Sequence, residues 1–140
     1  MNKVLNYMII AGIAILAISC AEPTDPTPTQ MAYGEWVVVD YFVDGQQSSG
    51  YPIERLNLER DDSYTMVDNN GFISVGTWTA TDTKLTLSAA DSTGGSASYD
   101  FGITYQTFEK MQLLQTISNP TAGDIQIRYL MNRASNGSTY

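Results

Sequence analysis

Apolar and polar residues alternate along the chain from about residue 33 onward, and this alternation predicts β-strands. Short clusters of Asp, Asn, Gly, Ser and Thr interrupt it at brief intervals, as turns between strands do. No window keeps a helical period over several turns. Eight strands are predicted, at residues 34–43, 53–59, 63–68, 72–80, 84–89, 97–106, 109–117 and 124–132.

The late strands have one apolar face and one polar face, which suits an antiparallel sheet around a single core. In the sixth predicted strand, Tyr99, Phe101, Ile103 and Tyr105 share the apolar face. A transmembrane barrel would instead need its apolar face outward, against lipid. Short turns favour a meander. Eight meandering strands close into an antiparallel up-and-down barrel or split into a β-sandwich, and the barrel is favoured because closure removes both edges.

The positions predicted to face inward are rich in aromatic residues. An eight-stranded barrel is either filled by its own side chains or holds one small ligand. Tyrosine and tryptophan carry a polar group on an apolar body, so Tyr64, Trp78, Tyr99 and Tyr105 are the candidate ligand-binding residues. The predicted inward set is Leu56, Leu58, Tyr64, Met66, Trp78, Leu85, Leu87, Tyr99, Phe101, Ile103, Tyr105, Ile125, Ile127 and Tyr129.

The first strand is apolar on both faces, so the pattern does not decide which face points inward. Asp40 is in register with Trp36, Val38 and Phe42. If that face points inward, Asp40 is a buried carboxylate that needs a partner. If the other face points inward, Asp40 is solvated. The remaining apolar face is then a candidate partner surface, because exposed apolar patches often mark one.

The first twenty residues are predicted to be an export signal and not part of the folded domain. Lys3 precedes an almost wholly apolar run that ends at Ile18. The run has about fifteen residues, enough for a signal-peptide core and short of the roughly 20 that span a bilayer. Cys20, the only cysteine, follows directly. The segment from Ala17 to Cys20 resembles a bacterial lipobox, with Leu16 one place earlier than the usual leucine.

This resemblance implies cleavage before Cys20, lipid on its thiol and a membrane anchor, since more than one acyl chain gives stable attachment. The alternatives are a membrane-anchoring helix with an incidental cysteine, or ordinary signal-peptide cleavage. The expected location is the bacterial cell envelope, on the periplasmic or surface face of the outer membrane. Pro and Thr dominate the following residues and predict an extended tether.

The predicted organisation is therefore a lipoprotein signal peptide (1–19), a lipidated Cys20 with a Pro/Thr-rich tether (20–32), one barrel (33–134) and a flexible tail (135–140).

Composition excludes several kinds of chemistry. The 140 residues contain no His and a single Cys, which excludes His-dependent nucleophilic catalysis and thiolate or imidazole metal sites. The net charge is −8, and this acidic balance argues against nucleic-acid binding. The Asp- and Asn-rich stretches are explained by turn chemistry. We therefore expect neither an enzyme, nor a metal site, nor a cofactor.

A repeated motif gives the chain a family resemblance. Gly34 and Trp36 form a Gly-x-Trp pattern in the first strand, and Gly76 and Trp78 repeat it in the fourth, followed by Leu-x-Leu at residues 85–87. In an eight-stranded meander, this order resembles the lipocalins, and in particular the lipocalin-like domains of small bacterial lipoproteins.

The resemblance implies that Trp36 closes the barrel floor and packs against an arginine of the last strand, for which Arg133 is the match. Gly34, Trp36, Gly76 and Arg133 are thus expected to be structural. It also implies a small hydrophobic or aromatic ligand. The alternative is a ligand-free interaction or structural module that presents loops 44–52 and 90–96, or a face of the first strand, to an envelope protein.

Overall fold

A computed structural model describes residues 25–90, 96–121 and 123–134. The predictions for the signal peptide, Cys20, the tether up to residue 24, the contact loop at residues 91–95 and the tail at 135–140 lie outside the described residues. The described chain forms one helix and nine strands: α1 (Pro28–Ala32), β1 (Gly34–Val43), β2 (Gln46–Gln47), β3 (Arg55–Leu58), β4 (Ser63–Val67), β5 (Ile73–Ala80), β6 (Lys84–Ala90), β7 (Ser96–Gln106), β8 (Lys110–Ile117) and β9 (Ile125–Arg133).

Eight of these strands close into an antiparallel barrel. Sequential neighbours pair from β3 to β9, β1 pairs with β3, and β9 pairs back with β1. The predicted meander is confirmed, as a barrel and not as a sandwich. Closure satisfies the strand edges within one sheet, so no partner is needed to pair them.

The strand outside the closed barrel, β2, is a two-residue extension that the sequence pattern does not predict. It folds back on the end of β1 through Asp44 and Gly45, which both have positive φ, at 48° and 82°. Two consecutive positive φ angles form the tight turn that matches the twist of a two-residue hairpin, and Asp-Gly is a favoured sequence for it.

A β-bulge in β1 determines which face of the sheet Asp40 lies on. Val38 pairs with Met131 and Asp40 pairs with Leu130, so Val39 is an extra residue that shifts the alternation by one place. Trp36 and Val38 therefore face inward before the bulge, and Tyr41 and Val43 face inward after it. Asp40 faces outward and accepts a hydrogen bond from Gln47 Nε2 at 2.7 Å.

A second bulge, in β7, overturns one predicted inward position. Ile103 pairs with Leu113 and Tyr105 pairs with Gln112, so Thr104 is the extra residue. The phase shift turns Tyr105 to the outer wall, where its side chain is 53% exposed. The prediction that Tyr105 faces inward was wrong for this reason.

The helix α1 replaces part of the predicted extended tether, which was wrong for residues 28–32. Thr27 caps it: its Oγ1 accepts from Gln30 N at 3.2 Å, and Gln30 Oε1 accepts from Thr27 N at 2.9 Å. Pro28 occupies the first turn, where its missing N–H costs nothing. Ala32 is fully buried against the barrel. Across the described ranges, no helix has the length and apolar character needed to cross a membrane.

Among the described residues, the buried core consists of residues from Ala32 onward. The fully buried large side chains are Trp36, Trp78, Tyr64, Tyr129, Phe101, Leu56, Leu58, Leu85, Leu87, Met111, Leu113 and Met131. A chain that begins at residue 21 therefore retains the barrel's core and the helix that covers one end.

Candidate functional site

One end of the barrel, called the floor here, is closed by α1 and the start of β1. Trp36 is fully buried there, and its Nε1 donates to the carbonyl of Ala32 at 2.7 Å. The Arg133 guanidinium carbon lies 4.6 Å from the centre of the Trp36 ring, a cation–π contact of about 0.5–2 kcal/mol. The contact implied by the family resemblance is thus present in the structure.

Arg133 also links the end of β9 to the segment before β1 and to the turn between β7 and β8. Its Nη2 donates to the carbonyl of Met31 at 2.7 Å, its Nη1 to the carbonyl of Tyr33 and its Nε to the carbonyl of Phe108. Desolvation lowers the pKa of Arg133, because partial burial disfavours its charged form. Because its donors are directed to backbone carbonyls, the Arg133 guanidinium stabilises the floor and is not positioned to bind a ligand.

The two predicted signature glycines lie where a side chain has no room. Gly34 has a φ of 116°, and a Cβ there would lie 2.5 Å from Arg133 Nη1. A Cβ on Gly76 would lie 2.1 Å from the carbonyl oxygen of Ser88 and 2.9 Å from Ala89 Cα. Both positions therefore require glycine, the first at the floor and the second where β5 and β6 approach closely.

Trp78, a candidate ligand-binding residue, packs against other residues of the protein. Its Nε1 donates to the carbonyl of Glu59 at 3.0 Å, and its ring meets Tyr33 edge-on at 5.4 Å between centroids. Its side chain is almost completely buried. Trp78 thus supports the lower part of the core near the floor.

The opposite end of the barrel, called the mouth, is lined by inward-facing residues that are only partly covered. Strand alternation and register place nine described residues there: Val43, Met66, Ser74, Ala89, Ala97, Tyr99, Gln115, Ile117 and Ile125. Tyr99 pairs with the fully buried Leu87, yet its side chain is 39% exposed. Tyr99 therefore faces inward as predicted, but at the open end of the barrel and not in the packed core.

Small residues form one wall of the mouth. Gly76 pairs with Ala89, and Ala89 pairs with Ala97, on three neighbouring strands. Ser74 continues this wall one inward position further along β5. These side chains are short, so this wall contributes little side-chain volume to the interior.

Uncharged polar groups lie in or beside this small-residue wall and on the neighbouring inward faces of β8 and β9. The Tyr64 hydroxyl lies 3.3 Å from Ser74 Oγ, and the Tyr129 hydroxyl donates to Gln115 Oε1 at 3.2 Å. Burial raises the pKa of Tyr129, and the nearby Tyr41 raises it further. The ring of Tyr129 also lies 5.5 Å from that of Tyr41, between centroids. Hydroxyl, amide and aromatic groups thus converge beneath the mouth.

Of the four candidate ligand residues, the structure brings Tyr64 and Tyr99 to the upper interior. Trp78 is buried against Tyr33 and the Glu59 carbonyl near the floor, and Tyr105 lies on the outer wall. Sequence reasoning missed Gln115 as a polar group of the mouth. Its spacing of two from the buried Leu113 was the signal that could have identified it.

The described outer surface carries a separate apolar patch. Phe72, Ile73 and Val75, at the β4–β5 turn and on the outer face of β5, are all strongly exposed. On β1, the outward Phe42 is covered by Arg128, whose guanidinium carbon lies 5.4 Å from the ring centre. The exposed strand face is therefore more pronounced on β5 than on β1, where the sequence suggested it.

The fold is a lipocalin-like barrel, as the resemblance predicted. No family model matches the chain, and no curated protein sequence matches it. A solved structure of a lipocalin-like protein from Bacteroides uniformis ATCC 8492 superposes with a TM-score of 0.50 at 11% identity, covering 74% of this chain and 99% of that chain.

A second group of similar structures is LTBP1 bound to leukotriene C4. The complex superposes with a TM-score of 0.56 at 13% identity, covering 89% of this chain and 80% of that chain. A point mutant of LTBP1 with leukotriene C4 gives a TM-score of 0.55 at the same identity and coverage. These similarities establish the fold that the two proteins share with this chain.

Proposed function

We propose that this protein binds one small hydrophobic or aromatic molecule in the mouth of its barrel, while lipid on Cys20 anchors it at the bacterial cell envelope. The observation that carries the binding proposal is the partly exposed inward face at the mouth, where Tyr99 lies beside a wall of small residues. The proposed role is binding, without catalysis.

The chemistry of the mouth supports such a ligand. Apolar surface contributes about 2.5 kcal/mol for each 100 Å² removed from water, before the costs of association. Ile117 and Tyr99 offer exposed apolar surface that a ligand would cover. LTBP1, a barrel of similar fold, holds a small molecule in its own structure, which is consistent with this use of the fold.

Native mass spectrometry of residues 21–140 tests the binding proposal. The protein is purified without detergent and measured before and after incubation with an apolar extract of the source cells. We expect an added mass of one ligand per chain that is lost on extraction with organic solvent. A bare protein mass under every condition would contradict the proposal.

A matched pair of variants tests the position of the ligand. Ala97→Phe places a large ring on the inward face of β7, and Ser98→Phe places the same ring on the outward face of the next residue. We expect the first variant to lose the added mass and the second to retain it, with both folded by circular dichroism. Retained binding in a folded Ala97→Phe would place the ligand elsewhere.

The anchoring proposal rests on the lipobox resemblance at Cys20. Growth of the source bacterium with an alkyne-labelled fatty acid should label the wild-type protein and send it to the membrane fraction. Cys20→Ala should lose the label and leave that fraction. An unlabelled wild-type protein would contradict lipidation, and a labelled Cys20→Ala protein would place the lipid on another residue.

A second candidate is an interaction module of the envelope, favoured by the exposed patch of Phe72, Ile73 and Val75. Co-purification of one protein from an envelope extract, lost in Val75→Glu and retained in Thr79→Glu on the same outward face, would support it. In that case the mass measurement above would show no ligand.

A further inference from the structure

We infer that the mouth selects an uncharged ligand, an apolar molecule ending in a hydroxyl, amide or ester group, over the corresponding carboxylate. This inference rests on the proposed function and deepens it. The observation behind it is the position of every cation that could neutralise an anion in the barrel.

The positive charges of the chain can be located almost completely. Of the seven Lys and Arg residues, all except Lys3 fall within the described ranges. The segments at 91–95, 122 and 135–140 contain no Lys, Arg or His in their sequence. The six located cations therefore include every cation that the barrel and its loops possess.

Three of these cations are directed outward along the strands. Lys84 Nζ lies 2.9 Å from Asp100 on the outer wall, and Arg55 Nη1 lies 3.4 Å from Glu35. Arg128 covers the outward ring of Phe42. Strand alternation places each of them on the opposite side of the wall from the buried core residues beside it.

The other three lie on the outer wall or at the floor. Lys110 is exposed and precedes the inward Met111, so its side chain faces outward beside Tyr105. Arg60 stacks on Tyr33 at the floor, with 6.0 Å from its guanidinium carbon to the ring centre. Arg133 lies against Trp36 and donates to floor carbonyls. None of the six cations in the described residues therefore faces the mouth.

The polar groups that do face the mouth are neutral. Tyr64 with Ser74, and Tyr129 with Gln115, offer hydroxyl and amide groups. These groups can donate to or accept from a neutral ligand. A carboxylate in the same place would lose its hydration without gaining a charged partner. The net charge of −8 further opposes the approach of an anion.

Matched probes test this selectivity on residues 21–140. The probes are 1-decanol with decanoic acid, and 2-naphthalenemethanol with 2-naphthoic acid, measured by displacement of a neutral fluorescent probe. At pH 8 we expect each alcohol to bind at least about tenfold more tightly than its acid, which corresponds to about 1.4 kcal/mol. The affinity of each acid should rise as the pH falls toward its own pKa, whereas that of each alcohol should not change.

The outcomes separate this inference from the proposed function. Acids that bind as tightly as their alcohols at pH 8 would overturn the inference and leave the proposed function standing. Failure of all four probes to bind, together with a bare protein mass, would overturn both.

A pair of charge variants gives an independent readout. Gln115→Lys adds a cation on the inward face of β8, and Thr116→Lys adds the same charge on its outward face. Both variants change the net charge equally. We expect only Gln115→Lys to shift the preference toward the acids at pH 8. An equal shift in both variants would mean that net charge, and not the lining of the mouth, sets the selectivity.

Discussion

Gly76→Ala should destabilise the barrel far more than the same substitution at Gly102. A Cβ at Gly76 would lie 2.1 Å from the backbone carbonyl oxygen of Ser88, and only movement of β5 against β6 could relieve this contact. At Gly102 the nearest atom to a Cβ is 3.7 Å away, an ordinary van der Waals contact. Both glycines lie inside strands and neither has a positive φ, so the two variants differ chiefly in this clash.

The expected magnitudes follow from these distances. Overpacking a core costs about 1–3 kcal/mol, and a clash with backbone atoms falls at the upper end of that range. Gly102→Ala should be neutral or stabilise by up to about 1 kcal/mol, because alanine restricts the unfolded chain. The two variants should therefore differ by about 3–4 kcal/mol. With a urea m-value of about 1.5 kcal/mol/M, the midpoints should differ by about 2 M.

Urea unfolding of residues 21–140, followed by tryptophan fluorescence, measures this difference. Both tryptophans, Trp36 and Trp78, are buried, so their emission reports exposure of the core. Equal midpoints for Gly76→Ala and Gly102→Ala would refute the reasoning. That result would mean that β5 and β6 can separate at Gly76 without loss of packing.

Two further predictions concern the floor and the buried tyrosine. Arg133→Met should lower the free energy of unfolding by about 2–3 kcal/mol, because three carbonyls lose a charged donor; thermal unfolding should show a loss that Arg128→Met does not. The raised pKa of Tyr129 means that the folded state holds its proton more tightly, so stability should fall as the pH rises above about 10. Tyr129→Phe should show a shallower fall in urea midpoint between pH 9 and 11, and an unchanged slope would contradict this assignment.

The strands could be predicted from the sequence because one-sided burial imposes a period of two on each of them. Residues in phase, such as Leu85 with Leu87 and Ile127 with Tyr129, are buried together as expected. The turns were visible for a different physical reason, because Asp44 and Gly45 tolerate positive φ angles where bulkier residues are strained.

The bulges could not be predicted from the alternation, because one extra residue reverses the phase without changing the composition. In β1 the apolar character of both faces was the visible trace of the bulge at Val39. In β7 the alternation runs on through Thr104 to Tyr105, so the sequence itself offers no break. The misplacement of Tyr105 is the direct result of that uninterrupted pattern.

The sequence contains a local signal for the helix α1, but the Pro- and Thr-rich composition of the segment favours an extended chain. Proline and threonine dominate the segment and suggest an extended chain, but Thr27, Pro28 and Gln30 together form a helix start. What holds so short a helix is its packing under the barrel, including the bond from Thr29 Oγ1 to the Ala80 carbonyl at 3.3 Å. Such long-range support is not visible in the local sequence.

Docking of α1 on the floor sets how the domain would stand on a membrane. Pro28 is eight residues after Cys20, and even a fully extended chain of eight residues spans at most about 29 Å. If Cys20 carries lipid, the closed end of the barrel stays within that distance of the bilayer, and the mouth is the end farther from the attachment point along the barrel. With the barrel upright on its tether, a molecule would enter the mouth from the aqueous compartment, and not by lateral diffusion within the bilayer.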